Sequence, residues 1–266
     1  MPLHREDCNR AILVSVGRFN PKVNLNGRPG VHRDEKKLHR ALKKLGFSVD
    51  IHRDLSSEEI YQLFMEESRR PVKDCFLAVL SSHGEEGCIF GDDGKPVQLS
   101  HIFRYFDNKY MEKKVKLFFI QACRGYALDD GVEVDSGHIA EENFSPCLAV
   151  PIDTAVMYAT APGYAAFMHP FGSVFLQTFC TLLEEDDNRN LELTRLLTRL
   201  CHRVAYTFQA RGRDHGGKKQ MPCLLSRLTR EVYPFAEAGK DTSDLELSKT
   251  AKICSETVRK RMPSVS

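Results

Sequence analysis

Short apolar runs separated by amphipathic stretches organise the first 120 positions of this 266-residue chain. Ala11-Ile-Leu-Val-Ser-Val16 is apolar on both faces and rich in β-branched residues, which predicts a buried strand over 11–16. Leu38, Ala41, Leu42 and Leu45 then recur at helical spacing within a charged stretch, predicting a helix over 34–45 that Gly46 stops. Residues 47–51 read as a second strand. Ser56-Ser-Glu-Glu59 places a glutamate three positions after a serine, the capping-box pattern, and opens a helix over 57–68. Further strands are predicted over 75–80 and 115–120. Between them, Gly91-Asp-Asp-Gly94 marks a hairpin turn joining 88–90 to 97–99, followed by a short helix over 100–106.

After position 125 the pattern breaks. Residues 126–150 are acidic and aperiodic, with Asp129, Asp130, Glu133, Asp135, Glu141 and Glu142, and are read as an exposed linker. Regular structure resumes with a strand over 155–159, helices over 173–183 and 191–208, and a last strand over 223–228. The polar composition of 236–266 predicts a tail without fixed structure, and 1–10 a short N-terminal extension. Strands alternating with helices imply an α/β fold: a mostly parallel central sheet with helices on both faces.

Composition narrows the function classes. Hydrophobic residues make up 42% and charged residues 28%, as in ordinary globular proteins, and the formal net charge of +2 gives no overall pull toward nucleic acid or membrane. No apolar run reaches the length of a membrane span, and the first ten residues lack the apolar core of a secretory signal. Nine cysteines without such a signal are expected as reduced thiols, which places the chain in the cytoplasm. No Cys-x-x-Cys pair occurs, so no metal site is expected, and neither glycine-rich nucleotide motif is present. No cofactor is implied.

Two residues stand out because of where the predicted sheet puts them. His83 follows the strand over 75–80 and Cys123 follows the strand over 115–120, and catalytic groups in open α/β sheets gather at the carboxyl ends of strands. A thiol beside an imidazole is the arrangement for nucleophilic catalysis, since the imidazole accepts the thiol proton. Gly84 lets backbone approach a substrate and present an N–H to a developing oxyanion. Taken singly, a free cysteine is more often a small core residue and a histidine more often structural.

Gln121-Ala-Cys-Arg-Gly125 matches the signature pentapeptide of caspases, and Ser82-His-Gly-Glu-Glu-Gly87 resembles that family's histidine loop. Ile89-Phe-Gly91, Ala161-Pro-Gly-Tyr164, Gly172-Ser173 and Lys219-Gln-Met-Pro222 resemble executioner-type caspases in the same order, so the resemblance spans about 10–235. It implies a caspase-like three-layer sandwich, with 11–125 the large-subunit part of one catalytic domain and 151–235 the small-subunit part. It also implies an endopeptidase acting on protein substrates. Cys123 is then the nucleophile, His83 the acid/base group, and the N–H groups of Gly84 and Cys123 the oxyanion donors. Arg28 and Gln121 fall where the family holds a substrate aspartate, a task suited to the bidentate guanidinium; without the resemblance Arg28 reads as a solvated loop residue. Val132-Glu-Val-Asp135 followed by Ser136 resembles the site where family members are cut into two chains, and the alternative is a run of solubilising acids. The strand over 223–228 matches the pairing strand of the family, implying a homodimer of large/small-chain heterodimers, with upstream caspases as activators.

The resemblance breaks at the substrate pocket. Met168 stands where the family has a second arginine, Phe167 and Val174 replace two tryptophans, and the whole chain contains no tryptophan. His169 is adjacent and is a candidate to supply the missing charge. Two readings follow: an endopeptidase with altered preference around aspartate, or a weakly active or inactive caspase-like regulator that dimerises with active relatives.

Overall fold

The computed structural model describes residues 8–129, 150–211 and 216–236. Six strands form the central sheet: β1 (Arg10–Ser15), β2 (Ser48–Arg53), β3 (Cys75–Ser81), β7 (Val115–Gln121), β8 (Thr154–Tyr158) and β11 (Cys223–Ser226). Their spatial order is β11-β8-β7-β3-β1-β2. Every neighbouring pair is parallel except β11 on β8, so β2 and β11 are the two edges. A separate three-stranded unit, β4 (Gly84–Glu85), β5 (Cys88–Phe90) and β6 (Pro96–Gln98), carries the predicted hairpin.

Alternation along the strands builds two cores. Ala11, Leu13, Leu77, Val79, Leu117, Phe119 and Met157 face one side. There they meet α1 (Val31–Lys44), α4 (Val174–Glu184) and α6 (Leu193–Thr207) through residues such as Leu38, Phe179 and Leu200. Ile12, Val14, Phe76, Ala78, Phe118 and Ile120 face the other side, covered by α2 (Ser57–Glu67) and α3 (Leu99–Tyr105) through Ile60, Phe64 and Phe103. The result is the three-layer sandwich expected, in which strands buried on both faces carry no polar alternation.

Local signals were followed closely in α2, where Ser56 caps Glu59 N–H and the Glu59 side chain returns to the Ser56 backbone. α1 begins at Val31 rather than at the aspartate three positions later. The Asp34 carboxylate crosses to the residue that caps α4 and accepts the Ser173 backbone N–H at 2.9 Å. Four short elements escaped the sequence pattern: β4, β9 (Met168–His169), β10 (Gly172–Ser173) and α5 (Asp186–Arg189). Arg10 and Glu67 form a buried ion pair linking β1 to the end of α2, and Arg10 also donates to the carbonyls of Glu67, Arg70 and Pro71. Most of the acidic linker, with Asp135 and Ser136, and the tail after residue 236 lie outside the described residues. Among the described residues no helix is long and apolar enough to cross a membrane.

Candidate active site

The register of β3 against β7 brings the chemistry together. Ser81 pairs with Gln121, and Ser82 N–H donates to the Gln121 carbonyl at 3.2 Å, so both chains leave the sheet at one level. His83 and Cys123 each follow two positions beyond that last pair. Gly84 then runs so close to the cysteine loop that a Cβ there would sit 2.9 Å from the Ala122 Cβ and 3.3 Å from the Cys123 carbonyl oxygen. A side chain at position 84 would push the two loops apart.

His83 Nε2 lies 2.8 Å from the Asn26 carbonyl oxygen. A carbonyl only accepts, so Nε2 carries the proton and a neutral ring keeps Nδ1 free as an acceptor. The ring rests on Phe19 at 5.2 Å between centroids. Burial pushes the imidazole below its ordinary pKa; the Asn26 bond opposes this, and the nearby Arg28 charge adds to it. The half-buried Cys123 Sγ lies 3.4 Å from the Ala166 N–H nitrogen and 3.7 Å from the Ala166 carbonyl oxygen. The thiol therefore sits against the irregular segment that leads into Met168.

Arg28 is not the solvated loop residue that its sequence context alone suggests. It is 8% exposed, with Nη1 donating to the Val16 carbonyl at 2.9 Å and Nη2 to Ser81 Oγ at 3.0 Å. Burial lowers its pKa to about 10, with partial compensation from Asp34 and Cys123. Gln121 is 1% exposed, and its Oε1 has no hydrogen-bond partner among the described residues. A buried cation and an underused buried amide thus border the cysteine, an arrangement fitted to an anionic group.

The opposite wall is the β9–β10 hairpin. Its position depends on Gly30, whose φ of 99° suits glycine and where a Cβ would lie 2.1 Å from the His169 carbonyl oxygen. Phe167 N–H donates to Gln220 Oε1 at 2.8 Å, Gln220 Nε2 donates to the Ala159 carbonyl at 2.8 Å, and the Phe167 ring packs on Phe208. Val174 opens α4 and packs partly against the first core. Met168 is half-buried, whereas His169 is exposed and, by strand alternation, lies on the other side of the hairpin. His169 Nδ1 accepts Phe171 N–H at 3.3 Å and its ring stacks on Phe171, so it does not take the place of the missing arginine.

Three contributors were not singled out by sequence reasoning. Asn26 acts through its carbonyl, which leaves no mark in a sequence. Gln220 stood inside a quoted motif, but its two partners are chosen by tertiary contact. Arg124, also inside a quoted motif, donates to Glu86 through Nε at 3.0 Å and Nη2 at 2.6 Å, and lies 4.1 Å above the Tyr158 ring centroid. It thereby ties the cysteine loop to the histidine loop. Among the described residues no group of His, Cys, Asp or Glu is placed to hold a metal ion. A cavity of about 700 Å³ opens at the other end of the sheet, around Asn9, Asp74, Cys75, Lys113, Arg230 and Tyr233; burial pushes the Cys75 thiol well above its ordinary pKa, which disfavours the thiolate a nucleophile needs.

Residues 8–233 match the profile of the Caspase domain. The chain is 36% identical over 244 residues to caspase-7 of Gallus gallus, covering 87% of this chain and 78% of that protein. It is 37% identical over 232 residues to caspase-3 of Mesocricetus auratus, covering 84% and 82% respectively. The crystal structure of caspase-1 from Spodoptera frugiperda superposes with a TM-score of 0.76 at 29% identity, covering 89% of this chain and 93% of that one.

Proposed function

Because this chain belongs to the caspase family, executioner-like in sequence, and is a cysteine endopeptidase, we propose that it cleaves protein substrates after aspartate, with Cys123 as nucleophile and His83 as acid/base partner. The observation that carries this reading is the Nε2 contact of His83 with the Asn26 carbonyl at 2.8 Å, which leaves Nδ1 to take the thiol proton. The thiolate adds to the scissile carbonyl carbon, and the N–H groups of Gly84 and Cys123 receive the oxyanion. Collapse expels the amine, which takes the proton from His83, and leaves a thioester on Cys123. Water, deprotonated by His83, then adds to the thioester, and the tetrahedral intermediate expels the thiolate to free the acid.

Arg28 and Gln121 receive the aspartate side chain, with Arg28 held rigid by Val16 and Ser81. Phe167, Met168 and Val174 shape the neighbouring wall. Met168 brings no charge there, so aspartate binding rests on one arginine where the resemblance leads one to expect two. Maturation follows cleavage between Asp135 and Ser136 by an upstream caspase. The antiparallel edge strand β11 pairs two catalytic units into a homodimer, and the protein works in the cytoplasm.

To test this, chains 1–135 and 136–266 are refolded together and incubated with a proteome-derived peptide library, with Cys123→Ala as the blank. Cuts after aspartate that vanish in the blank are expected. Cysteine-dependent cuts after other residues would overturn the aspartate assignment. A folded dimer without cysteine-dependent cuts would overturn the enzymatic reading in favour of a regulatory one, with Met168 as the cause.

A further inference from the structure

Helix α1 sorts its charges by sign. Arg33, Lys36, Arg40, Lys43 and Lys44 are exposed, whereas its two acids, Asp34 and Glu35, are each 3% exposed. Asp34 turns to Ser173 and Gln177. Glu35 accepts from Ser15 Oγ, from Arg53 Nε at 2.8 Å, and faces His32 Nδ1 at 3.1 Å. The outward charges of this helix are therefore uniformly positive, on a chain whose net charge is only +2.

Beside this helix lies a groove of about 490 Å³, lined by His32, Glu35, Lys36, His39, Ile51 and Arg53. Its far wall is β2, an edge strand hydrogen-bonded to β1 on one side and to no described strand on the other. Ile51 contributes an apolar floor on the α1 side, and by alternation the exposed Asp50 points to the opposite face of the sheet. Glu35 is committed to Arg53 and His32, which leaves Lys36 and His39 as the basic groups facing an occupant.

We propose that this groove docks an extended acidic segment of a protein, added as a strand along the free edge of β2 with its carboxylates toward Lys36 and His39. Edge-strand addition draws affinity from main-chain hydrogen bonds and selectivity from alternate side chains. The structural features favour a peptide over a nucleic acid. No phenylalanine, tyrosine or tryptophan lines the groove to stack on bases, and the guanidinium of Arg53 is already engaged by Glu35. The segment would lie along the helix that begins three residues after Arg28. This proposal does not depend on cleavage, and its probe contains no aspartate.

The probe is a fluorescein-labelled octapeptide of alternating glutamate and valine, titrated with the full chain and read by fluorescence anisotropy. Saturable binding that weakens with salt is expected. Lys36→Glu should weaken it about tenfold and Lys36→Gln by less. Lys113→Glu, at the other end of the sheet, should leave it unchanged. Because Lys36 is exposed, a melting temperature equal to wild type is expected for both groove variants. A peptide N-methylated at alternate positions should lose binding, since it cannot donate to the edge. Equal binding by Lys36→Glu or by the N-methylated peptide, or tighter binding of an oligouridine, would overturn the proposal.

Discussion

The buried carboxamide oxygen of Gln220 accepts the backbone N–H of Phe167 at 2.8 Å. Its other end donates to the Ala159 carbonyl, so one side chain anchors the wall of the cleft to the end of β8. Gln220→Ala leaves both backbone groups without that partner at a cost of about 1–3 kcal/mol. The expected result is a rise in KM and a fall of about tenfold in kcat/KM against an aspartate substrate. Circular dichroism should report a folded protein, because the contact lies at the rim and not in either core. Gln220→Glu keeps only the acceptor and should fall between the two.

A second prediction concerns the pocket charge. Met168→Arg places a cation at the half-buried position of β9, two residues beyond the Ala166 contact of Cys123. A charge pair removed from water is worth about 2 kcal/mol or more in comparable interfaces. The variant should raise kcat/KM for aspartate substrates by about thirtyfold. His169→Arg, on the other side of the hairpin, should change little. A peptide-substrate series read for both variants distinguishes the two positions.

The third rests on proton affinity. His83 is pushed below the ordinary histidine value of about 6.5, chiefly by burial, with the Arg28 charge acting in the same direction. The acid limb of kcat/KM should therefore have its midpoint below about 6.5. Protonation favours the unfolded chain, so the stability tied to neutral His83 is present above about pH 6.5 and is lost as pH falls through the lower folded value. Arg28→Met removes a depressing charge, and NMR titration of the His83 ring should show its pKa moving upward.

The fourth tests the frame that carries β1. Arg10 and Glu67 have side chains 4% and 5% exposed, and the guanidinium also serves three carbonyls. Arg10→Met leaves Glu67 with Arg70 as its remaining ion-pair partner and removes the donor to three carbonyls, and urea unfolding should show a loss of about 1–3 kcal/mol. Replacing both partners with apolar residues should recover much of that loss.

The sequence made the sheet legible because a strand buried on both faces must be continuously apolar, and 11–16, 75–80 and 115–120 are. It made the convergence of His83 and Cys123 legible for the same reason, since parallel strands of similar length end at one level. The helical spacing starts α1 three residues late, at 34 and not at Val31, and the long-range role of Asp34 left no mark because its partner Ser173 is distant along the chain. The β9–β10 hairpin escaped because two-residue strands have no period. The burial of Arg28 was invisible because Val16 and Ser81, its partners, are distant along the chain.

Strands β7 and β8 are parallel neighbours, yet one ends at Gln121 and the other begins at Thr154, on either side of the acidic segment. A break anywhere in that segment would turn a seam within one molecule into a seam between two. Folding, first-order for the intact chain, would become second-order for the fragments. Once unfolded, a severed copy would have to find its other half by diffusion, more slowly the more dilute the solution. A single hydrolysed bond would thereby make the assembled state one that is kept far more easily than it is regained.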